Sequence, residues 1–346
     1  MLLFIHTGAG MSRTVIPWIF LGVIAFFVSA LTYKAEHALP PDPTYDFYDT
    51  AFVKVQIHGS DGIHDLFGRY NHILHGQRVL IKAQELDRGM WLLAFPVFSP
   101  RPAVLYVDDE ALEVFLQPGD TTLNVEMWYT PATYAFDSIQ YTGAMASVCD
   151  YYLSKSREFN RVHIRGMSNT VGSENFSAYS ARLDSMAAWE LGLLAEQQVF
   201  SDLPEWFVEF ERNDILYQKS YLKLSQSYNR KVDTELLDHL PVNNQSAQFS
   251  YYYYLYLHTL FADQSVNPRD SLAYVSDLKR QLSTATDQLD EATHDVFMTR
   301  MIYALIQRKQ LKIAEELLSE FKKFFHSKKY VRYLKATLIR ATPQIG

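Results

Sequence analysis

Along residues 51–59, AFVKVQIHG, apolar and polar side chains alternate. Phe52, Lys54, Gln56 and His58 fall on one face and Val53, Val55 and Ile57 on the other, the period-two pattern of a half-buried strand. The alternation continues through RVLIKAQEL, GMWLLAFPVF, AVLYVDD, LEVFLQ and TLNVEMW, separated by Gly, Pro and Asp. Short strands punctuated by turn residues predict an antiparallel β-sandwich or barrel, taken as a β-sandwich domain over 45–140. Pro96 inside one run predicts an edge strand or a bulge, because proline cannot donate to the ladder. In FLQPGDTTLNVEM, residues 115–127, Leu112, Val114 and Leu116 alternate before the turn, and Leu123, Val125 and Met127 after it. Pro118 and Gly119 suit the centre of a type II turn, so this stretch is expected to be a β-hairpin.

The period then changes from two to that of a helix. ASVCDYYLSKSREF places Val148, Tyr151, Tyr152 and Phe159 near one face, predicting a helix over 145–159. Residues 176–199 follow with Leu183, Met186, Ala187, Leu191 and Leu194. Ser201 or Asp202, ahead of Pro204 and Glu205, marks the start of another helix. Its apolar members are Phe207, Phe210, Ile215, Tyr217, Tyr221 and Leu224. Further helices are expected at 246–262, 268–284, 288–307, 309–325 and 327–339, with breaks at Pro241, Asn243, Asn244 and Asn267-Pro268. No fixed repeat emerges. Residues 141–346 are therefore expected to form an irregular all-helical domain, and the fold class is α+β.

Residues 15–33, VIPWIFLGVIAFFVSALTY, carry no charge. As a helix they match the roughly 30 Å hydrocarbon thickness of a bilayer. Arg13 before them makes 1–14 a cytoplasmic n-region, while Lys34 after them works against that orientation. Val28-Ser29-Ala30 fits a signal-peptidase site, so cleavage and retention as a single-pass anchor both stay open. The start is open between Met1 and Met11, and MSR directly ahead of the apolar run makes a tidy n-region from Met11. Pro40, Pro41 and Pro43 make 34–44 an extended linker. The expected location is the periplasmic side of the cell envelope.

The net charge of −7 argues against a nucleic-acid partner, which needs a basic surface to displace counterions. The lone cysteine, Cys149, excludes an internal disulfide, a CxxC pair and a multi-cysteine zinc site. It lies beside Val148 and Tyr152 and next to Asp150, so it is expected to be a buried small hydrophobe rather than a thiolate nucleophile.

Other candidate chemistry is sparse. His58, His64, His72 and His75 cluster in the β-region, but residues three apart on a strand face opposite ways, so surface or loop positions are expected. Asp61, Asp108 and Asp109 sit at turns, where Asp serves the backbone. No G-x-S-x-G, phosphate-binding or dinucleotide-binding glycine motif occurs. In FSYYYYLYLHTLF, residues 249–261, helical spacing joins Phe249, Tyr252, Tyr253, Tyr256, Leu257 and Leu260 into one core face, with Tyr251 and Tyr254 nearer the rim. The basic segment 322–335, KKFFHSKKYVRYLK, reads as a solvated face with Phe324, Phe325, Tyr330, Tyr333 and Leu334 inward. It also offers a surface for anionic lipid or an acidic partner. No catalytic, cofactor-binding or metal-binding residue is assigned, and no cofactor is expected.

Taken in order, the export segment, the strand–PGD–strand, YTGAMASVCDYYLSKSREF and LPEWFVEFERNDILYQKSYLKL resemble the N-terminal accessory region of TlpA-like membrane-tethered thiol–disulfide oxidoreductases. The matching positions are Phe115, Leu116, Pro118, Gly119, Asp120, Gly143, Tyr152 and Leu153. Cys149-Asp150 departs from the polar Asn common there. In that family a thioredoxin module with a WCxxC motif follows, and this chain carries no such motif. The resemblance implies an exported binding or scaffold module without catalysis of its own. A helical peptide- or protein-binding adaptor is the alternative, and an enzyme of unrecognised type the third reading. The partner is an unidentified envelope protein or peptide, with the membrane as a further partner if residues 15–33 are retained.

Overall fold

In the computed structural model, nine strands among the described residues build two sheets over one core. The structure describes residues 49–59, 65–97, 99–108, 110–119, 122–130, 135–159, 175–227, 237–263 and 271–342. The segment 15–33, the linker 34–44, His64, Asp61 and Asp109 lie outside them. Among the described residues no helix is long and apolar enough to cross a membrane.

The strands are β1 (Asp49–His58), β2 (Leu66–His72), β3 (Gln77–Lys82), β4 (Gln84–Asp87), β5 (Met90–Val97), β6 (Arg101–Val107), β7 (Glu110–Leu116), β8 (Thr122–Thr130) and β9 (Ala135–Thr142). One sheet has the order β4-β5-β1-β8-β9, the other β3-β2-β6-β7. Val53, Val55 and Ile57 of β1 turn into the core, as their alternation predicts. The sheets are not purely antiparallel, because β1 and β8 run parallel.

That parallel pair follows from the PGD stretch, which is not a hairpin. Strand β7 pairs with β6 in one sheet, whereas β8 pairs with β1 and β9 in the other. The connection is an arch from sheet to sheet. Leaving one sheet for the other frees β8 from the reversal a hairpin imposes, so it can run alongside β1. Alternation alone could not separate hairpin from arch, since both strands point the same apolar set into one core. Gly119 does take a positive φ of 113°, the conformation its residue type permits.

Two strands carry little alternation of their own. The inward positions of β2 are Leu66, Gly68, Tyr70 and His72, an unusual core set. Gly68 is there for space, because a Cβ would stand 2.2 Å from the Phe95 ring of the facing sheet. Strand β9, AFDSIQYT, is an outer strand. Pro96 faces Thr50 of β1, while β4 follows β5 only as far as Leu92, so the proline sits where β5 is locally an edge.

Eight α-helices follow among the described residues: α1 (Ala146–Phe159), α2 (Phe176–Phe200), α3 (Glu205–Ser227), α4 (Tyr251–Phe261), α5 (Ser271–Gln288), α6 (Glu291–Gln307), α7 (Leu311–Phe321) and α8 (Lys328–Ala341). The chain is thus α+β. Asn175, Ser250 and Asp290 cap α2, α4 and α6 with side-chain oxygens that accept backbone N–H groups of the first turn. Helix α4 starts later than 246, because Ser250 takes the N-cap and a 3-10 turn occupies Gln245–Ala247. Phe249 therefore falls outside the helix and is exposed, as is Leu260, while Tyr254 is fully buried rather than at the rim.

The core of the sheets continues into the helices. Phe115 of β7 meets Phe207 and Phe210 of α3 edge-on at 5.3 and 5.6 Å, and lies 6.2 Å from Tyr152 of α1. Cys149 is buried in the same cluster. Beneath it lies an ionic knot: the Lys155 ammonium stands 2.6 Å from Glu190 and 2.7 Å from Glu211, and Tyr151 and Tyr152 donate to the two Glu211 oxygens. It joins α1, α2 and α3. A second core gathers α4 to α8 around Phe297, Ile302 and Leu334, and takes in Ile73 and Leu74 from the turn after β2.

Candidate functional site

Helices α7 and α8 form the last pair of the fold, and their sequences set up a surface. In LKIAEELLSEF, Ala314, Leu317, Leu318 and Phe321 are buried. In α8, Tyr333 and Leu334 are buried while Ile339 stays 73% exposed. Between the helices runs an open groove of about 540 Å3. Its apolar lining comes from Leu311, Leu318, Leu338 and Ile339. Lys312, Lys322 and Lys335 line it as well, against a single carboxylate, Glu315.

The charge on the α8 side of the groove has one sign. Residues 322–340 hold seven Lys or Arg and no Asp or Glu, in a chain whose net charge is −7. Of the side chains expected inward in the basic segment, Phe325, Tyr333 and Leu334 are buried, Tyr330 is half-buried, and Phe324 is 38% exposed. A concave apolar floor with a basic rim can take up an amphipathic helix whose flanks are acidic.

A second groove, about 620 Å3, lies between α1 and α2 beside Trp189. Trp189 meets Phe159 edge-on at 4.7 Å, and Val199 and Phe200 beyond it are more than three-quarters exposed. Its lining includes Glu158 and Glu196 and no lysine or arginine, so the two grooves differ in charge.

Of the described histidines in the β-region, His72 departs from the surface or loop position expected of it. His58 is a surface residue, 4.9 Å from Trp128 and 3.5 Å from the Glu126 carboxylate. His72, however, ends β2 and is buried, and the turn folds His75 back onto it. The two rings stack at 3.6 Å, and His75 stacks at 4.1 Å on Tyr303 of α6. His75 also shares a hydrogen bond with the Tyr333 hydroxyl. The His75 backbone N–H donates to His72 Nδ1 at 3.2 Å, which fixes that nitrogen as an acceptor. Burial, then the positive potential of His75, Arg101 and Arg300, lowers the His72 pKa well below its usual value. Arg300 donates to the Ile73 carbonyl and lies 5.1 and 5.4 Å from the Tyr251 and Tyr254 rings. This stack is the joint between the β2–β3 turn and helices α4, α6 and α8. The spacing argument missed it because His75 is on a turn, where period two does not apply.

Asp108, with φ 52°, serves its turn: it accepts the Asp65 N–H at 3.0 Å. Cys149 is inert packing, with burial pushing its pKa up to about 12. Among the described residues His294, Asp295 and His326 form a cluster with metal-ligand spacing, at the start of α6 and in the α7–α8 connection. Asp295 accepts the backbone N–H groups of His326 and Ser327 at 3.0 and 2.7 Å, which ties the connection down. Burial raises its carboxyl pKa, but the hydrogen bonds from His294, Ser327 and His326 outweigh that and hold it below the ordinary range.

Neither a protein-family model nor a curated protein matches this chain.

Proposed function

We propose that the chain is an exported, non-catalytic binding or scaffold module of the cell envelope. In this reading it is related to the accessory region of TlpA-like oxidoreductases. Residues 15–33 are its signal or anchor helix, 45–140 a β-sandwich domain and 141–346 a helical domain that presents the docking surface. The occupant of the α7–α8 groove is an acidic amphipathic helix of a protein partner. The supporting observation is the pairing of an apolar floor with a lining of three lysines against one glutamate, beside a segment, 322–340, whose charged residues are all basic. Such a rim attracts acidic flanks, and the attraction weakens as salt screens it.

The test uses a fluorescent peptide with leucines at helical spacing and glutamates elsewhere, titrated with the purified protein. Saturable binding is expected, weaker at high salt, and reduced at least about tenfold by Ile339→Asp and by Lys335→Glu. Equal binding by both variants contradicts the reading. So does a preference of this face for anionic phospholipid vesicles over the peptide.

A further inference from the structure

We infer that His294, Asp295 and His326 bind a divalent transition ion of the zinc class. His294 Nδ1 stands 3.1 Å from Asp295 Oδ1, and His326 Nδ1 stands 3.4 Å from the same oxygen. The ligand atoms of all three lie within 4.8 Å of one another. Ligands about 2.0–2.1 Å from a tetrahedral ion stand about 3.3–3.4 Å apart, so these two separations leave the three groups placed to share one ion with little rearrangement.

The hydrogen bonding of His294 points the same way. The Thr286 hydroxyl donates to the Leu282 carbonyl at 2.9 Å. Its oxygen is then the acceptor for His294 Nε2, 3.3 Å away. In the tautomer with the proton on Nε2, which an ion would select, His294 Nδ1 can ligate beside the Asp295 carboxylate oxygen 3.1 Å away. An ion bound here takes the place of the proton that His294 Nδ1 otherwise shares with the carboxylate oxygen, since ligating groups give up their protons to the metal. The arrangement, with one ring nitrogen toward the ion and the other held by an oxygen, is how ligating histidines are oriented.

The donor set selects the ion. Two imidazoles and one carboxylate suit zinc or a neighbouring late first-row ion, whereas calcium and magnesium require oxygen donors. The fourth position falls to water. His294 and Asp295 are buried and the His326 side chain is 43% exposed, which leaves a route in from solvent. A bound ion would pin the α7–α8 connection to α6, so the site is structural in character. The inference does not depend on what the neighbouring groove binds.

The test is calorimetric titration of chelator-treated protein with zinc alone, with cobalt as a spectroscopic substitute. One equivalent is expected to bind, with a cobalt spectrum of tetrahedral type and a raised Tm. His326→Ala keeps the backbone N–H that Asp295 accepts, so it should fold by circular dichroism and lose at least about tenfold in affinity. His58→Ala, on the far β1 strand, should bind as the native chain does. Three results would overturn the inference: binding no stronger than a surface histidine gives, equal affinity in His326→Ala, or an NMR signal of His294 protonated on both nitrogens that zinc leaves unchanged.

Discussion

The Cys149 thiol accepts the Phe115 backbone N–H at 3.3 Å inside the core shared by the sheets and α1, so its chemistry is packing. Two glycines near it carry more of the fold. Gly119 in the arch and Gly143 before α1 have φ of 113° and 117°, values that side chains rarely adopt. Their surroundings differ. A Cβ at Gly119 meets nothing closer than 3.9 Å, whereas one at Gly143 would stand 2.6 Å from the Thr122 carbonyl oxygen. Gly119→Ala should therefore cost about 1–2 kcal/mol of conformational strain. Gly143→Ala should cost more, about 3 kcal/mol, because backbone must move as well. Urea denaturation of both variants checks the order, and equal losses would contradict it. These positions were visible in the sequence as glycines of a motif, but the clash at Gly143 was not, since it comes from Thr122, 21 residues earlier in β8.

At the scale of elements, the helices were legible because amphipathic faces such as Val148, Tyr151, Tyr152 and Phe159 repeat over several turns. Strand β2 was not, because its inward set mixes Leu66 and Tyr70 with Gly68 and His72. The sheet pairing was not legible either: Leu112 to Met127 alternate identically for a hairpin and for an arch. The joint between β2 and the helices has a consequence for pH. His72 is buried, and His258, half-buried and 4.3 Å from the Phe297 ring, also has its pKa lowered well below 6.5, by burial and then by Arg300. Both are neutral in the fold and take up a proton once unfolded. The unfolded chain thus binds more protons below about pH 6.5, and stability, complete above that pH, falls as pH drops toward the folded values. The expected slope is about 1.4 kcal/mol per pH unit for each histidine. Urea midpoints at about pH 7 and about pH 5.5 measure it, and the slope should be shallower in His258→Leu. A flat profile would contradict the neutral assignment.

At the scale of the whole molecule, charge is divided unevenly. The chain is acidic overall, yet its last helix and the connection before it are wholly basic in their charged residues. The basic run was legible as sequence. The groove was not, because it needs α7 and α8 side by side, with Leu311 and Leu318 brought opposite Leu338 and Ile339. The His294–Asp295–His326 cluster was hidden for the same reason, as thirty residues separate Asp295 from His326. The most direct measurement of the docking reading is hydrogen–deuterium exchange of the full chain with and without the acidic amphipathic peptide. Protection concentrated in residues 311–322 and 335–342 is the predicted result. Protection confined to residues 189–200, or none anywhere at saturating peptide, would contradict it.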